Sequence, residues 1–162
     1  MKKELIKVKM ADVQISTSPS VLITYGLGSC VGLTIWDFKL KIGGMAHIML
    51  PSSKGFTRND NFAKFADCSI EFLINELLKM GARKRNLEAK IFGGASMFSF
   101  ESKSDILNIG DRNVEATIKY LKEFEIKLVN QDVRGNFGRT ISLDLEVGLV
   151  EVHSIKKGNK IF

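Results

Sequence analysis

Cys30 and His47 are the residues whose types and setting best fit catalysis. The sequence has only two cysteines and two histidines, which makes this pair its best candidate for a nucleophile and a base. Cys30 ends the segment Thr24-Tyr-Gly-Leu-Gly-Ser-Cys, in which Gly26 and Gly28 permit a sharp turn at positive φ between two apolar runs. Such a bend can present backbone N–H groups beside a thiol, and acyl transfer needs these groups for the oxyanion of its tetrahedral intermediate. The pattern therefore indicates that Cys30 is a nucleophile.

A structural interpretation of the same residues stays open. Free cysteine is among the most buried residue types, and a Gly-x-Gly turn by itself is only a tight connection. His47 lies in a strand-like, mostly apolar run over residues 42–50, where a histidine is costly unless its nitrogens are used. The spacing alone thus allows a catalytic pair, or a packed cysteine with a hydrogen-bonded core histidine.

The remaining cysteine and histidine do not suggest a metal site. Cys68 falls within a predicted helix, where packing explains it. Cys30, His47, Cys68 and His153 lack the close paired spacings of a zinc site, and two cysteines form no disulfide framework. The glycine-rich loops contain neither a P-loop nor a full dinucleotide fingerprint. We expect no metal and no cofactor, and a free thiol fits a reducing compartment.

Composition bounds the class of protein. With 162 residues, of which 44% are hydrophobic and 26% charged, the chain is long enough for one buried core, and we predict a single domain over residues 1–162. It has no signal-peptide pattern and no apolar run of membrane-spanning length, so we expect a cytoplasmic protein without membrane insertion. The net charge is +6, but basic and acidic residues are interleaved, so nucleic acid is not predicted as a partner.

Hydrophobic periodicity predicts an α/β chain of the α+β type. Helical spacing predicts amphipathic helices over residues 61–80 and from about 111 to 125. A polar loop at residues 51–60 lies near His47, where it could affect access to the site. Alternating or apolar runs predict strands over residues 8–16, around Leu22, and over residues 31–36, 43–50, 87–92, 126–132, 140–147 and 149–155.

Five motifs occur in order along the chain: Gly26-Leu-Gly-Ser-Cys-Val, Lys41-Ile-Gly-Gly-Met-Ala-His-Ile-Met-Leu-Pro, Phe92-Gly-Gly-Ala-Ser-Met, Asn108-Ile-Gly-Asp-Arg-Asn and Asp132-Val-Arg-Gly-Asn-Phe-Gly-Arg. Together they resemble the CheD family, the chemoreceptor glutamine deamidases of bacterial and archaeal chemotaxis. The resemblance implies a compact sandwich of mixed β-sheets, to which the periodicity adds two main amphipathic helices.

The resemblance also implies a catalytic triad. Cys30 would be the nucleophile, His47 the general base and acid, and Thr24 the polar group that holds the imidazole. The thiolate would attack the side-chain amide of a receptor glutamine and release ammonia, and water would hydrolyse the resulting thioester to glutamate. Hydrolysis of glutamyl methyl esters is an implied side activity.

Other residues of these motifs are candidates for oxyanion support or substrate contact. They are the Ser29 hydroxyl, the backbone N–H of Cys30, Gly28, and the loops that carry Gly93, Gly94 and Asn136. The last motif departs from the family's usual Gly-Gly-Asn-Arg pattern by carrying Arg134 and Phe137, a change that could alter the preference for a partner or substrate.

Methyl-accepting chemotaxis receptors, through their helical cytoplasmic domain, are the substrate that the resemblance implies. CheC, the phosphatase that acts on phosphorylated CheY, is an implied binding partner, and stimulation of CheC is an alternative to catalysis. A third possibility, a cysteine hydrolase of small amides, predicts turnover of free glutamine.

Overall fold

The computed structural model describes residues 2–57, 61–97 and 108–162. Within them the chain forms two α-helices, α1 (Ala66–Lys79) and α2 (Ile109–Glu123), and short 3-10 helices at Phe62–Lys64 and Lys84–Asn86. The strands are β1 (Leu5–Lys7), β2 (Val13–Thr17), β3 (Val21–Leu27), β4 (Val31–Asp37), β5 (Ile42–Ile48), β6 (Leu87–Gly93), β7 (Lys127–Val133), β8 (Arg139–Asp144), β9 (Val150–Ser154) and β10 (Gly158–Ile161).

Two five-stranded sheets pack face to face, and the helices cover one of them. The inner sheet, next to the helices, has the order β2-β5-β4-β6-β7, and the outer sheet has the order β1-β3-β8-β9-β10. Both sheets are mixed, because β6 and β7 are parallel in one and β1 and β3 in the other, while their other neighbours are antiparallel. The layers are therefore helices, inner sheet and outer sheet.

The alternation of residues in β4 explains the two faces of the inner sheet. Val31, Leu33 and Ile35 are fully buried in one cluster with apolar residues of α1 and α2. The residues between them face the outer sheet, where a Cβ on Gly32 would lie 2.6 Å from Cδ1 of Ile141. The sheets thus approach closely at the start of β4, which directly follows Cys30.

The predicted fold class is confirmed, but the predicted strand over residues 8–16 is wrong. The chain crosses between the sheets in this segment: β1 ends at Lys7 in the outer sheet, Ala11 has a φ of 55°, and β2 begins in the inner sheet. β10 was not predicted, because all of its residues are exposed and it therefore shows no alternation of apolar and polar residues. The first helix begins at Ala66 rather than Asn61, because residues 62–64 form a separate 3-10 turn.

The polar loop at 51–60, which was predicted to affect access to the site, is described only in part. Its last residues, 58–60, lie outside the described residues. In the described ranges, no helix is both long enough and apolar enough to cross a membrane.

Candidate active site

The candidate nucleophile lies on a turn between the two sheets. β3 of the outer sheet ends at Leu27 and β4 of the inner sheet begins at Val31, so residues 28–30 carry the chain across. Gly26 has a φ of 67°, as expected. Gly28 lacks the predicted positive φ, but a Cβ there would lie 3.3 Å from Cγ of Met97. The turn places Cys30 at the start of β4, with only 9% of its surface exposed.

Thr24 and His47 meet across the space between the sheets. Both are buried, Thr24 on β3 and His47 on β5 opposite Gly32. Oγ1 of Thr24 lies 2.7 Å from Nδ1 of His47 and donates its hydrogen to the Val8 carbonyl, also at 2.7 Å. Because a hydroxyl has one hydrogen, Oγ1 must accept a hydrogen bond from Nδ1–H. The network thus assigns the neutral tautomer in which Nε2 carries no hydrogen.

The other ring nitrogen of His47 is available. Nε2 is buried and has no hydrogen-bond partner among the described residues. Side chains alternate along a strand, so Cys30, two residues before Gly32, lies on the sheet face that carries His47. Diagonal neighbours in a sheet have Cβ atoms roughly 7 Å apart. The thiol and Nε2 are not hydrogen-bonded here, and such contacts often form only when substrate binds.

Burial keeps both groups neutral. Desolvation lowers the pKa of the His47 imidazole and raises the pKa of the Cys30 thiol. At neutral pH the pair therefore rests as thiol and imidazole rather than as an ion pair. A neutral imidazole with an unprotonated Nε2 is the state that a general base requires.

Residues 28–30 form the nucleophile turn, and backbone hydrogen bonds connect it to the loop after β6. The N–H of Gly94 donates to the Cys30 carbonyl at 2.8 Å, and the N–H of Ala95 donates to the Gly28 carbonyl at 2.9 Å. Gly93 has a φ of 93°, and a Cβ there would lie 2.4 Å from the Cys30 carbonyl oxygen, so no side chain fits. The structure thus brings Gly93 and Gly94 to the turn through their backbone.

Asn136, in the loop after β7, is not brought to the turn. Its side chain is exposed, and its Oδ1 accepts a hydrogen bond from Nζ of Lys156 at 2.8 Å. The same loop contacts the loop after β6, because the N–H of Arg134 donates to the Gly93 carbonyl at 2.8 Å. This loop therefore supports the neighbouring loop, and Asn136 itself points elsewhere.

The two residues that depart from the usual pattern make local contacts. Nε of Arg134 lies 2.6 Å from Oδ1 of Asp111 in the first turn of α2. The Phe137 ring packs 4.1 Å from the guanidinium of Arg139, which is buried and forms an ion pair with Asp132. Both departures thus belong to contacts that hold this loop in place.

Asn113, the last residue of the fourth motif, was not predicted as a site residue, but it lies against the nucleophile turn. Its Nδ2 donates to the carbonyl of Ser29 at 3.0 Å and to that of Met49 at 2.9 Å. The available signal was a polar residue on the buried stripe of α2, beside Val114 and Leu121. Ser29, predicted as an oxyanion or substrate contact, participates here through its backbone carbonyl.

Comparison with known proteins identifies the family. The model of a family described as CheD chemotactic sensory transduction matches residues 49–154. A "Probable chemoreceptor glutamine deamidase CheD" of Clostridium novyi (strain NT) is 46% identical over 158 residues, which cover 98% of each chain. Proteins of the same name from Caldanaerobacter subterraneus subsp. tengcongensis and Clostridium kluyveri are each 48% identical, over 99% and 96% of each chain, respectively. The chain belongs to the CheD family.

The family predicted from the five motifs is thereby confirmed. The segment that matches the CheD family model begins at Met49, after both Cys30 and His47. The alignments with the CheD relatives from Clostridium novyi and Caldanaerobacter subterraneus extend over 98% and 99% of this chain. The nucleophile turn therefore lies in the part of the chain that these CheD proteins share.

Proposed function

We propose that this CheD family member deamidates glutamine side chains of chemoreceptors through a thioester on Cys30. The names of its relatives supply the activity and the substrate class. The observation that carries the proposal is the Val8–Thr24–His47 chain of hydrogen bonds, which leaves Nε2 unprotonated and unpaired on the face that carries Cys30. A histidine kept only for packing would normally have its buried nitrogens satisfied.

Acylation begins with proton transfer from Sγ of Cys30 to Nε2 of His47. The thiolate attacks the side-chain amide carbon of the receptor glutamine, forming a tetrahedral intermediate with a negatively charged oxygen. The backbone N–H of Cys30 is the nearest candidate donor to that oxygen, because it belongs to the attacking residue. The carbon–nitrogen bond then breaks as His47 returns the proton to the departing ammonia, leaving a thioester.

Deacylation uses the same groups with water as the nucleophile. Nε2 of His47 accepts a proton from water, the hydroxide attacks the thioester carbon, and the thiolate leaves and is reprotonated. The products are a glutamate side chain and free Cys30. A glutamyl methyl ester would enter the same cycle with methanol as the leaving group, which supports methyl ester hydrolysis as a side activity.

The test is mass spectrometry of a chemoreceptor cytoplasmic domain from the same organism, incubated with the wild-type protein or with Cys30→Ala. We expect specific glutamines to become glutamates with the wild type alone. Free glutamine should remain intact, because a receptor deamidase uses contacts with its protein substrate to orient the amide. Since the substrate is a cytoplasmic domain, the proposal places the protein in the cytoplasm.

The Cys30→Ala variant and the wild-type control separate catalysis from binding. Cys30→Ala should fold and keep any binding to CheC, because thiol chemistry and surface complementarity are separable. If the folded wild type converts no glutamine in a helical receptor domain, the deamidase proposal is wrong and the CheC-binding role replaces it. Rapid turnover of free glutamine would instead indicate a hydrolase of small amides.

A further inference from the structure

Asn113 joins the two segments that carry the candidate nucleophile and base. It is fully buried on α2, and its two donor hydrogen bonds reach the carbonyls of Ser29 and Met49. Ser29 directly precedes Cys30, and Met49 follows His47 by two residues. One side-chain amide thus fixes both segments against the same helix.

The Asn113 amide has only one orientation that suits its surroundings. Nδ2 carries two hydrogens, and the two carbonyls use both. Rotation by half a turn would place Oδ1 against two carbonyl oxygens. Oδ1 is itself buried and has no partner within the described residues. A buried unpaired acceptor reduces stability, and this cost offsets part of what the two donor hydrogen bonds contribute.

The carbonyl that Asn113 holds also sets the direction of the Cys30 N–H. In a planar trans peptide, a C=O group and the N–H of the following residue point in opposite directions. Nδ2 of Asn113 holds the Ser29 carbonyl toward α2, so the Cys30 N–H points away from this helix. This N–H makes no hydrogen bond to the described residues, and a developing negative charge at Cys30 would give it an acceptor.

We propose that Asn113 is a positioning residue that aims the Cys30 N–H at the oxyanion formed during deamidation. The inference rests on the proposed function, because the oxyanion arises only in that reaction. Asn113 acts through the Ser29–Cys30 peptide and does not contact the substrate. Its removal should therefore weaken stabilisation of the transition state more than binding of the receptor.

The test compares two reactions of Cys30 in Asn113→Leu, which keeps the branched shape but replaces the polar atoms with larger methyl groups, and in Asn113→Ala, which removes them. The first reaction is deamidation of the receptor domain, and the second is alkylation of the thiol by iodoacetamide across a range of pH. Alkylation forms no oxyanion, so it reports only on Cys30 and His47. We expect kcat to fall on the order of 10²-fold, with KM and the alkylation rate within about threefold of wild type. The pH profile of alkylation should not move.

Thr117→Val is the matched control. Thr117 is buried one turn further along α2, and its hydroxyl donates to the Asn113 backbone carbonyl at 2.7 Å. The control removes a buried hydrogen bond from the same helix without affecting the two carbonyls that the Asn113 side chain holds. We expect its kcat to match that of the wild type.

Several outcomes would overturn the inference. Equal losses of deamidation and alkylation in folded Asn113 variants would make Asn113 a purely structural residue. An unchanged kcat in both variants, or in whichever of them folds, would show that the N–H needs no such support. If the wild type itself does not deamidate the receptor, the proposed function fails first and the inference fails with it.

Discussion

The hydroxyl of Thr24 decides which nitrogen of His47 carries the hydrogen, because it donates to Val8 and must accept from Nδ1–H. Thr24→Val keeps the shape of the side chain but removes this acceptor, so the imidazole loses its fixed tautomer. Since general base catalysis contributes typically 10²–10⁴-fold, we expect kcat to fall by about 10²-fold. Thr24→Ser restores the hydroxyl and should recover most of the rate. Equal kcat values for the valine and serine variants would contradict this role.

The lowered pKa of His47 makes stability depend on pH in one direction. The unfolded histidine takes up a proton below about pH 6.5, while the buried imidazole resists protonation until a lower pH. In that interval the unfolded state binds more protons, so the free energy of unfolding falls as the pH falls, by at most about 1.4 kcal/mol per pH unit.

Urea denaturation of the wild type and His47→Gln at pH 7.5 and pH 5 isolates this contribution, since other groups titrate in both proteins. We expect the wild type to lose more stability on acidification than the variant. A larger loss in His47→Gln would mean that the folded imidazole takes up protons more readily than the unfolded one.

Some residues of the candidate site could be predicted from their residue type, whereas the role of others depends on tertiary contacts that the sequence does not show. Cys30 and His47 stand out because their residue types are rare in this chain. Thr24 could be found only by resemblance, because threonine in a strand is ordinarily explained by β-propensity. Asn113 belongs to the fourth motif, but its role was not predicted, because its partners are backbone carbonyls of distant segments, which the sequence does not reveal.

At the scale of elements, the end of β6 fixes the nucleophile turn through Gly93. Gly93→Ala would place a Cβ 2.4 Å from the Cys30 carbonyl oxygen, so the turn or the loop must move. Gly158→Ala is the matched control, because Gly158, which begins β10, has a positive φ of 73° but nothing within 4 Å of an added Cβ. Each substitution has a conformational cost of roughly 1–2 kcal/mol. Only Gly93→Ala should also lower kcat, by about 10²-fold for a displacement near 1 Å.

The measurement for this pair is kcat on the receptor domain, together with the free energy of unfolding from urea denaturation. If Gly158→Ala reduced kcat as much as Gly93→Ala, the effect would come from general backbone strain. Contact with the Cys30 carbonyl would then be ruled out as its cause.

Local patterns predicted most elements but not the way they join. The run over residues 8–16 looks like one strand because residues on both sides of Ala11 favour β structure. Val8 is hydrogen-bonded to Ile23 of the outer sheet, whereas Ala11 is hydrogen-bonded to His47 of the inner sheet. Sequence alternation reports which residues are buried, but it does not say which of two sheets buries them.

In the molecule as a whole, the site depends on all three layers. Thr24 comes from the outer sheet, His47 from the inner sheet and Asn113 from the helical layer. The sandwich class could be predicted from the resemblance to CheD. The contact between residues of three layers could not, because it depends on sheet order and register, which local sequence does not encode. Under the proposed function, a receptor must approach the end of the sandwich where β4 begins.

Met97 is an exposed side chain at that end, with 49% of its surface accessible, and it packs beside Gly28 of the nucleophile turn. A protein substrate that reaches Cys30 should therefore contact Met97. We expect Met97→Ser to raise KM for the receptor domain by several-fold, with kcat and alkylation of Cys30 little changed, because loss of uniform binding affects KM alone.

Met80→Ser is the control. Met80 is similarly exposed, at 43%, but it follows the last residue of α1 and precedes Gly81, where an added Cβ would lie 3.8 Å from Cδ1 of Leu40, in the turn beyond the far end of β4. A strand of seven residues separates the two ends by roughly 20 Å. Steady-state kinetics on the receptor domain would measure both variants, and an equal rise in KM would show that the receptor does not distinguish this end of the molecule from the other.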